Sequence, residues 1–255
     1  MKKELPKYPS RTRFGEIVCE YQQPLRKSNK VVILCGGMPG YPGRTAGSVL
    51  ARFAERGYWA FSLRYRGSWE SGGLFLDKSP HEDVRAVIDG LEKGFKDAWS
   101  EEMRRIEKPQ VSVIGVSFGG PAAILVSRDP RVKKAVALSP VIDWMRQEGT
   151  TEPLGFIARF VRDGFGEAYR ADKTAWLKFA SGTFYNPVRH AKNIDGKKLL
   201  IIHAKDDEVV PFAPAKEFAD ATGAYFVSLR RGGHLGSAAV LKPHLWRRVE
   251  PFLKK

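Results

Sequence analysis

A serine lies between two glycines in the segment VIGVSFGGPAA, which spans residues 114–124. The spacing is Gly115-x-Ser117-x-Gly119, with a β-branched run before it and a helix-forming run after it. A strand, a sharp turn and a helix in that order expose the serine hydroxyl and place free N–H groups beside it, where negative charge develops during acyl transfer. The pattern therefore indicates that Ser117 could act as a nucleophile. The alternative is a glycine-rich turn that happens to hold a serine.

A serine hydroxyl is a weak nucleophile until a base removes its proton. His234 lies in the glycine-flanked segment RRGGHLG after the last predicted strand, where its imidazole can reach the carboxyl edge of a sheet. His81 falls at a predicted helix start, His203 inside a predicted strand and His244 in a C-terminal helical pattern. These positions indicate surface or packing roles, so His234 is the candidate base.

The base in turn needs an acid that fixes its tautomer. The segment HAKDDEVVPF offers Asp206 and Asp207 directly after a predicted strand, and SPVIDW offers Asp143 after the preceding one. Acids at such positions also serve as helix caps or solvated loop residues. On spacing alone, all three stay candidates.

The two cysteines, Cys19 and Cys35, indicate no disulfide framework and make a reducing compartment the default. Cys35 ends the predicted strand KVVILCG, which favours a buried, inert thiol over a second nucleophile. No cluster of His, Cys, Asp and Glu has metal-ligand spacing, which disfavours a metal hydrolase. The chemistry expected here requires no cofactor and no metal.

Short β-branched runs alternate with helix-length segments along the chain. That alternation predicts an α/β fold with a mostly parallel sheet and helices on both faces. The segment EIVCEYQQP adds an antiparallel edge strand. The predicted strands span 30–36, 58–65, 110–116, 132–139, 198–204 and 224–230, and the predicted helices 44–56, 81–97, 119–128, 212–222 and 237–253.

About fifty residues, 141–190, separate two predicted strands, which is too long for a structureless loop in a compact domain. We therefore predict that 141–190 forms a small helical cap inserted into a core made of residues 1–140 and 191–255. The segment is rich in aromatic residues, most of which we expect to pack in its interior. The candidates for apolar walls around a substrate are Trp144, Phe160 and Trp176.

The chain carries 43 Lys and Arg against 28 Asp and Glu, a net charge of +15. The basic residues form scattered pairs without a nucleic-acid-binding motif, which favours a solvated basic surface over a nucleic-acid site. No apolar stretch approaches the ~18 residues of a membrane span, and the basic N-terminus lacks the apolar run of a secretion signal. We expect a cytoplasmic protein with no membrane or nucleic-acid partner; the sequence does not indicate its oligomeric state.

The chain order Ser117, Asp207, His234 resembles that of the α/β-hydrolase superfamily. Within it, the sequence is similar to the catalytic domains of prolyl-oligopeptidase-like serine hydrolases and related esterases. Four motifs between residues 30 and 253 carry the resemblance: GVSFGG as nucleophile elbow, SLRYRGSWESGG as the loop N-Y-R-G-S…G-G, HAKDDEVVP as H-G-x-x-D-x-x-V-P, and GGHLG as the histidine loop. The third motif assigns the acid to Asp207 rather than Asp206.

The resemblance implies an α/β-hydrolase fold and an oxyanion hole built from backbone N–H groups. Phe118, the residue after the nucleophile, would supply one donor, and Gly37 or Met38 the other. The segment CGGMPG departs from the pattern, because Cys35 stands where relatives often have a histidine. The chain is also too short for the propeller domain of prolyl oligopeptidases.

The implied function is hydrolysis of a small carboxylic ester through an acyl-enzyme. A small aminopeptidase or oligopeptidase that takes short peptides is the alternative. A catalytically silent α/β-hydrolase-fold binding protein is a third possibility, and the intact triad argues against it.

Overall fold

The structure is a computed structural model that describes residues 5, 6, 8–147 and 150–255. In that part of the chain, strands and α-helices alternate over most of the length. The strands are β1 (Ser10–Phe14), β2 (Ile17–Gln22), β3 (Lys30–Cys35), β4 (Trp59–Leu63), β5 (Phe95–Lys96), β6 (Met103–Arg104), β7 (Gln110–Val116), β8 (Val132–Leu138), β9 (Leu199–Ala204) and β10 (Tyr225–Leu229). The helices are α1 (Arg44–Glu55), α2 (Pro80–Lys93), α3 (Gly119–Val126), α4 (Leu154–Phe165), α5 (Phe212–Thr222) and α6 (Pro243–Lys254).

Eight of the strands form one sheet in the order β1-β2-β4-β3-β7-β8-β9-β10. Six of these strands run parallel to one another: β4, β3, β7, β8, β9 and β10. The strands β1 and β2 are antiparallel additions at one side. The carboxyl ends of β3, β7, β8, β9 and β10 therefore meet at one edge of the sheet, where ligand sites form in parallel sheets. The short strands β5 and β6 pair with each other outside this sheet.

Alternate residues of the central strands pack on opposite faces of the sheet. Val32 and Leu34 pack with α1 and α6, whereas Val31 and Ile33 pack in the layer that contains α2 and α3. Helix α5 covers the ends of β8 and β9 on the second face. These strands are apolar on both sides because both of their faces are covered.

The six predicted parallel strands are all present, with ends shifted by at most two residues, and the predicted helices differ mainly at their ends. The helix predicted over 81–97 ends at Lys93, because Gly94 has a φ of 103° that a right-handed helix does not allow. The pattern predicted over 237–253 divides into a 3₁₀ turn, Ser237–Leu241, and α6, which begins at Pro243. A residue before proline is disfavoured in the helical conformation, which accounts for the break.

The predicted edge strand is β2, but β1 lies outside it and forms the edge. The residues of β1, SRTRF, alternate polar side chains with only one large apolar one, so hydropathy gives little signal. Arg11 of this strand pairs with Glu20 and Glu70 instead.

Residues 141–190, which we call the insert, hold α4 and several short 3₁₀ turns in their described part. The backbone of the insert hydrogen-bonds to the loop after β4, since the Trp69 N–H donates to Ala168 O at 2.9 Å and the Arg170 N–H to Gly67 O at 2.8 Å. The Tyr185 hydroxyl donates to Phe118 O at 2.6 Å. These contacts hold the insert beside the carboxyl edge of the sheet.

Among the described residues, no helix is both long and apolar enough to cross a membrane.

Candidate active site

Ser117 lies between β7 and α3 in a backbone conformation that serine rarely adopts. Its φ is 52°, in the left-handed region, which typically costs about 1–3 kcal/mol for a non-glycine residue. The Ser117 N–H donates to Leu138 O at the end of β8 at 2.9 Å. The turn is thus fixed by the neighbouring strand, and the side chain stays partly exposed.

The glycines around Ser117 are required by close backbone approaches. A Cβ on Gly115 would lie 2.0 Å from Gly119 O, and a Cβ on Gly119 would lie 2.2 Å from Cys35 O. A Cβ on Gly120 would lie 2.4 Å from the Pro140 side chain. The motif GVSFGG therefore lets β7, α3 and the end of β3 come close enough to expose one hydroxyl.

The predicted base and acid lie within hydrogen-bond distance of each other. His234 Nδ1 is 3.0 Å from Asp207 Oδ2 and 3.1 Å from Oδ1. The Asp207 side chain is fully buried and the His234 side chain is 25% exposed. Because an ionised carboxylate only accepts hydrogen bonds, Nδ1 of His234 is the donor, and Nε2 is left to act as a base.

Asp207 also accepts a hydrogen bond from a second histidine. His203 Nε2, in β9, lies 3.2 Å from Asp207 Oδ2 and 3.1 Å from Val210 O. The N–H groups of Val209 and Val210 both donate to Asp207 Oδ1 at 3.0 Å. Burial alone would raise the pKa of the Asp207 carboxyl, but the hydrogen bonds from the two histidines and a backbone N–H outweigh it and hold that pKa well below its ordinary value.

The loop that carries His234 is held on both sides of the histidine. Asp206 accepts from the Gly233 N–H at 2.9 Å and from the Gly232 N–H at 3.3 Å. The Leu235 N–H donates to Ser139 Oγ at 3.1 Å. Asp206, a rejected candidate for the acid, thus has a positioning role that the sequence did not indicate.

Ser117 follows β7 and His234 follows β10, and hydrogen bonds to the end of β8 bring both segments together at the carboxyl edge. No hydrogen bond joins the Ser117 hydroxyl to the imidazole in the described part of the chain. The Ser117 N–H donates a hydrogen bond to Leu138 O. The N–H of Leu235, which follows His234, donates to the side chain of Ser139, which follows Leu138. The structure therefore brings the nucleophile candidate and the His234–Asp207 pair to adjacent positions on the carboxyl edge.

The remaining candidates from the sequence have other partners. Asp143 caps a 3₁₀ turn by accepting from the Met145 N–H and from the Asn186 side chain. Cys19 and Cys35 are buried free thiols on strands separated by β4. Burial raises the pKa of the Cys35 thiol, so it stays protonated and unreactive.

The predicted oxyanion donors lie around Ser117. A Cβ on Gly37 would be 3.3 Å from Ser117 Cβ and 3.9 Å from Ser117 Oγ, so this glycine faces the nucleophile. Phe118 stands at the N-terminus of α3, with its ring buried against Tyr65 and Tyr185. Met38 follows Gly37 and packs partly against the same core.

A cavity of about 140 Å³ adjoins Gly37. Its walls include Gly36, Gly37, Gly40, Tyr41, Trp69 and Tyr169. A larger groove of about 1260 Å³ lies at the opposite, amino end of the sheet, beside Trp59 and Lys108, and contains none of the candidate residues. The small cavity is the one that the chemistry can use. The described residues contain no group of three or more His, Cys, Asp and Glu side chains placed to hold a metal ion.

Comparison with known proteins identifies the family. Residues 45–244 match the prolyl oligopeptidase family. The chain belongs to this family. Solved structures that resemble the chain include an esterase and an α/β serine hydrolase homologue.

Solved structures of such hydrolases share the fold of this prolyl oligopeptidase family member. An esterase from Pyrococcus furiosus matches with a TM-score of 0.67 and 18% identity, over 97% of this chain and 92% of that one. An α/β serine hydrolase homologue from Coxiella burnetii matches with a TM-score of 0.57 and 19% identity, over 98% of both chains. The predicted α/β-hydrolase fold is thereby confirmed.

An acylaminoacyl peptidase from Pyrococcus horikoshii also matches, with a TM-score of 0.64 and 16% identity. The match covers 99% of this chain but only 41% of the peptidase, so the present chain spans about two fifths of that relative's length.

Proposed function

We propose that the protein hydrolyses small carboxylic esters, with Ser117 as nucleophile, His234 as base and Asp207 as the acid that orients it. The observation that carries this proposal is the buried Asp207 carboxylate at 3.0 Å from His234 Nδ1, at the same sheet edge as a partly exposed serine in a strained turn. Nothing in this arrangement calls for a cofactor. The expected partner is the ester itself.

The proposed reaction has two half-reactions. His234 Nε2 takes the Ser117 proton as Oγ attacks the ester carbonyl, and then returns that proton to the leaving alcohol. In the second half-reaction His234 Nε2 takes a proton from water as the water attacks the acyl-enzyme, and then returns that proton to Ser117 Oγ as the acid product leaves. Asp207 stabilises the imidazolium that forms in each step.

The oxyanion is held by the N–H groups of Phe118 and Gly37, with Met38 as the neighbouring alternative to Gly37. A donor of this kind typically contributes about 10²–10³ in turnover. Support comes from the approach of Gly37 to Ser117 and from the position of Phe118 at the N-terminus of α3.

Labelling with a fluorophosphonate tests the nucleophile. We expect the parent protein to bind the probe covalently and to hydrolyse p-nitrophenyl acetate, and Ser117→Ala to lose both activities. Loss of a triad residue typically lowers turnover by about 10⁴–10⁶. A folded Ser117→Ala protein that keeps activity within tenfold of the parent would place the chemistry on another residue.

The acid is tested by a matched pair of aspartates. Asp207→Asn should lower turnover by roughly 10⁴, because the amide favours the wrong imidazole tautomer. Asp143→Asn, which changes a capping residue in the insert, should leave turnover within about threefold. Equal losses in the two variants would contradict the assignment of Asp207.

A peptidase is the second candidate, and the family match favours it over other hydrolases. A small aminopeptidase or oligopeptidase would use the same three side chains. A panel of p-nitrophenyl esters and aminoacyl p-nitroanilides separates the two, since an esterase turns over the anilides poorly or not at all. A protein that reacts with neither panel, and not with the fluorophosphonate, would be a binding protein on the same fold.

A further inference from the structure

Five aromatic rings form a continuous row across the surface beside the candidate site. Successive ring centroids are separated by 6.0 Å for Trp69–Tyr41, 5.2 Å for Tyr41–Phe165, 5.8 Å for Phe165–Phe160 and 5.9 Å for Phe160–Phe156. We call these five residues the aromatic row. The row passes from the loop after β4, over the loop after β3, and along α4 of the insert.

Much of the aromatic row is open to solvent. Tyr41 is 77% exposed, Phe160 48% and Phe156 43%. Single exposed aromatics are ordinary on a protein surface, but a contiguous apolar patch usually marks a binding site. The predicted walls Trp144 and Trp176 lie elsewhere: Trp144 is buried with its indole N–H donating to Tyr185 O, and Trp176 packs against Phe179.

The inner end of the aromatic row opens on the cavity next to the nucleophile. Tyr41 and Trp69 line the cavity of about 140 Å³ together with Gly37, which faces Ser117. The row is thus an extension of this cavity and not a separate patch. The cavity continues into the aromatic row at Tyr41, which belongs to both.

Trp69, at this inner end, is held in an uncommon conformation. Its φ is 48°, which is rare for a bulky side chain, and such strain persists only where the surrounding structure maintains it. The indole N–H donates to Gly40 O at 2.9 Å, and the Trp69 N–H donates to Ala168 O at 2.9 Å. The ring is therefore a fixed wall that needs no ordering when a ligand binds.

The two charged side chains among the described residues that line the cavity, Arg64 and Glu20, pair with each other at 2.7 Å. The one buried cation at the cavity, Arg64, pairs with Glu20 and Glu70, so its charge is already compensated. The Tyr169 hydroxyl is engaged with the backbone of Gly40, whose N–H donates to it at 2.8 Å. The aromatic row itself offers a ligand apolar contact, which suits a hydrocarbon and not a charged peptide end.

We propose that the cavity and the aromatic row bind the acyl chain of the ester, an inference that rests on the function proposed above. A water molecule occupies roughly 30 Å³ of liquid, so the cavity has room for only a few carbon atoms, and the rest of a longer chain extends over the rings. The leaving alcohol takes its proton from His234 and so departs on the imidazole side. The substrate class is therefore a medium- or long-chain acyl ester.

The test is a comparison of p-nitrophenyl octanoate with p-nitrophenyl acetate, both below micelle-forming concentration. A buried methylene contributes about fourfold to kcat/KM, so the parent should prefer octanoate. Phe160→Ala should lower kcat/KM for octanoate by roughly tenfold and change it less than twofold for acetate. Tyr41→Ala should lower kcat/KM for octanoate by a larger factor than for acetate. Trp99→Ala is the matched control, since Trp99 is 72% exposed in the turn between β5 and β6 and lies outside the aromatic row.

Each outcome has one meaning. Equal losses on both esters, or none in either row variant, would overturn the assignment of the aromatic row while leaving the esterase proposal in place. A series of alkyl acetates in which the alcohol chain, and not the acyl chain, responds to Phe160→Ala would also overturn it. A parent protein that hydrolyses no ester would overturn the proposed function itself.

Discussion

At the scale of single residues, the unusual feature of the site is the number of donors on one carboxylate. Asp207 accepts from two histidines and two backbone N–H groups, all at 3.0–3.2 Å. His203 is fully buried, and its Nδ1 has no hydrogen-bond partner among the described residues. Its polar contacts are therefore made by Nε2–H alone, which is directed at Asp207 and Val210 O. We assign His203 a positioning role.

Replacing His203 should change how the site responds to pH. His203→Phe removes one donor, so the Asp207 carboxylate becomes more basic and draws the His234 proton more strongly. We expect kcat to fall roughly tenfold or more and the acid limb of the kcat/KM profile to move to higher pH. His203→Gln, which restores an N–H donor, should recover part of both effects. A profile that keeps its shape in His203→Phe would indicate packing alone.

The sequence indicated Ser117, Asp207 and His234 because their motifs are local, whereas it missed His203. Its position inside an apolar run says only that the side chain is buried. The spacing His203-x-x-x-Asp207 across a strand end is the signal that could have found it, since it lets a strand residue reach the loop that follows. The positioning role of Asp206 was missed for a related reason, because its partners Gly232 and Gly233 follow the next strand along the chain, β10. The catalytic roles themselves stay predictions.

At the scale of elements, the nucleophile turn depends on three segments that approach to backbone contact. Gly119 lies against the last residue of β3, and Gly115 lies against the first turn of α3. Gly36, only one residue beyond β3, has no atom within 4 Å of where a Cβ would stand. Gly36 and Gly119 therefore differ in whether they have room for a side chain.

We expect Gly119→Ala to destabilise the fold by roughly 3 kcal/mol, because a backbone carbonyl must move to admit the methyl group. Gly36→Ala should change stability by less than about 1 kcal/mol, since it meets open space and restricts the unfolded chain. Urea unfolding at constant pH measures both. Similar free energies of unfolding for the two variants would contradict the close packing of the turn.

Elements were predictable where one physical effect dominates. The strands β3, β7, β8 and β9 are apolar on both faces, so their sequence alone identifies them. The strand β1 is stabilised by ion pairs with Glu20 and Glu70 that hydropathy does not register. The aromatic row was not predictable either, because its rings come from three segments that only the folded chain brings together.

At the scale of the whole molecule, several histidines lie outside the site, and His81 has the clearest effect on stability. It is half-buried at the start of α2 with Arg85 and Arg128 nearby. Burial lowers the pKa of His81 to about 4 from an ordinary 6.5, and the two arginines act in the same direction. The folded protein thus binds this proton less readily than the unfolded chain.

The free energy of unfolding should therefore fall as the pH is lowered from about 6.5 to about 4. A shift of this size corresponds to at most about 3–4 kcal/mol of stability, fully present above pH 6.5 and lost towards pH 4. Because other groups titrate in the same range, the measurement is the difference between parent and His81→Gln. His244→Gln, on the exposed side of α6, is the control and should follow the parent. A His81→Gln protein with the parent's full pH dependence would contradict the assignment.

The overall architecture was predictable because alternation of strand and helix allows few parallel topologies. The family match over residues 45–244 agrees with that expectation. The division into core and cap, the cellular location and the absence of a nucleic-acid partner rest on sequence patterns and stay predictions. The cellular location and the binding partners concern the environment of the molecule, which backbone geometry does not report.

The strand order has a consequence for synthesis on the ribosome. The strands β7, β8, β9 and β10 follow one another in the chain and lie side by side in the sheet. Ser117 is translated 117 residues before His234. At about 5–20 residues per second, the proposed nucleophile precedes the proposed base by roughly 6–23 s. Throughout that interval the proposed base has not yet been synthesised. We therefore expect a nascent chain to be unreactive towards esters until its final strand and the loop after it have joined the sheet.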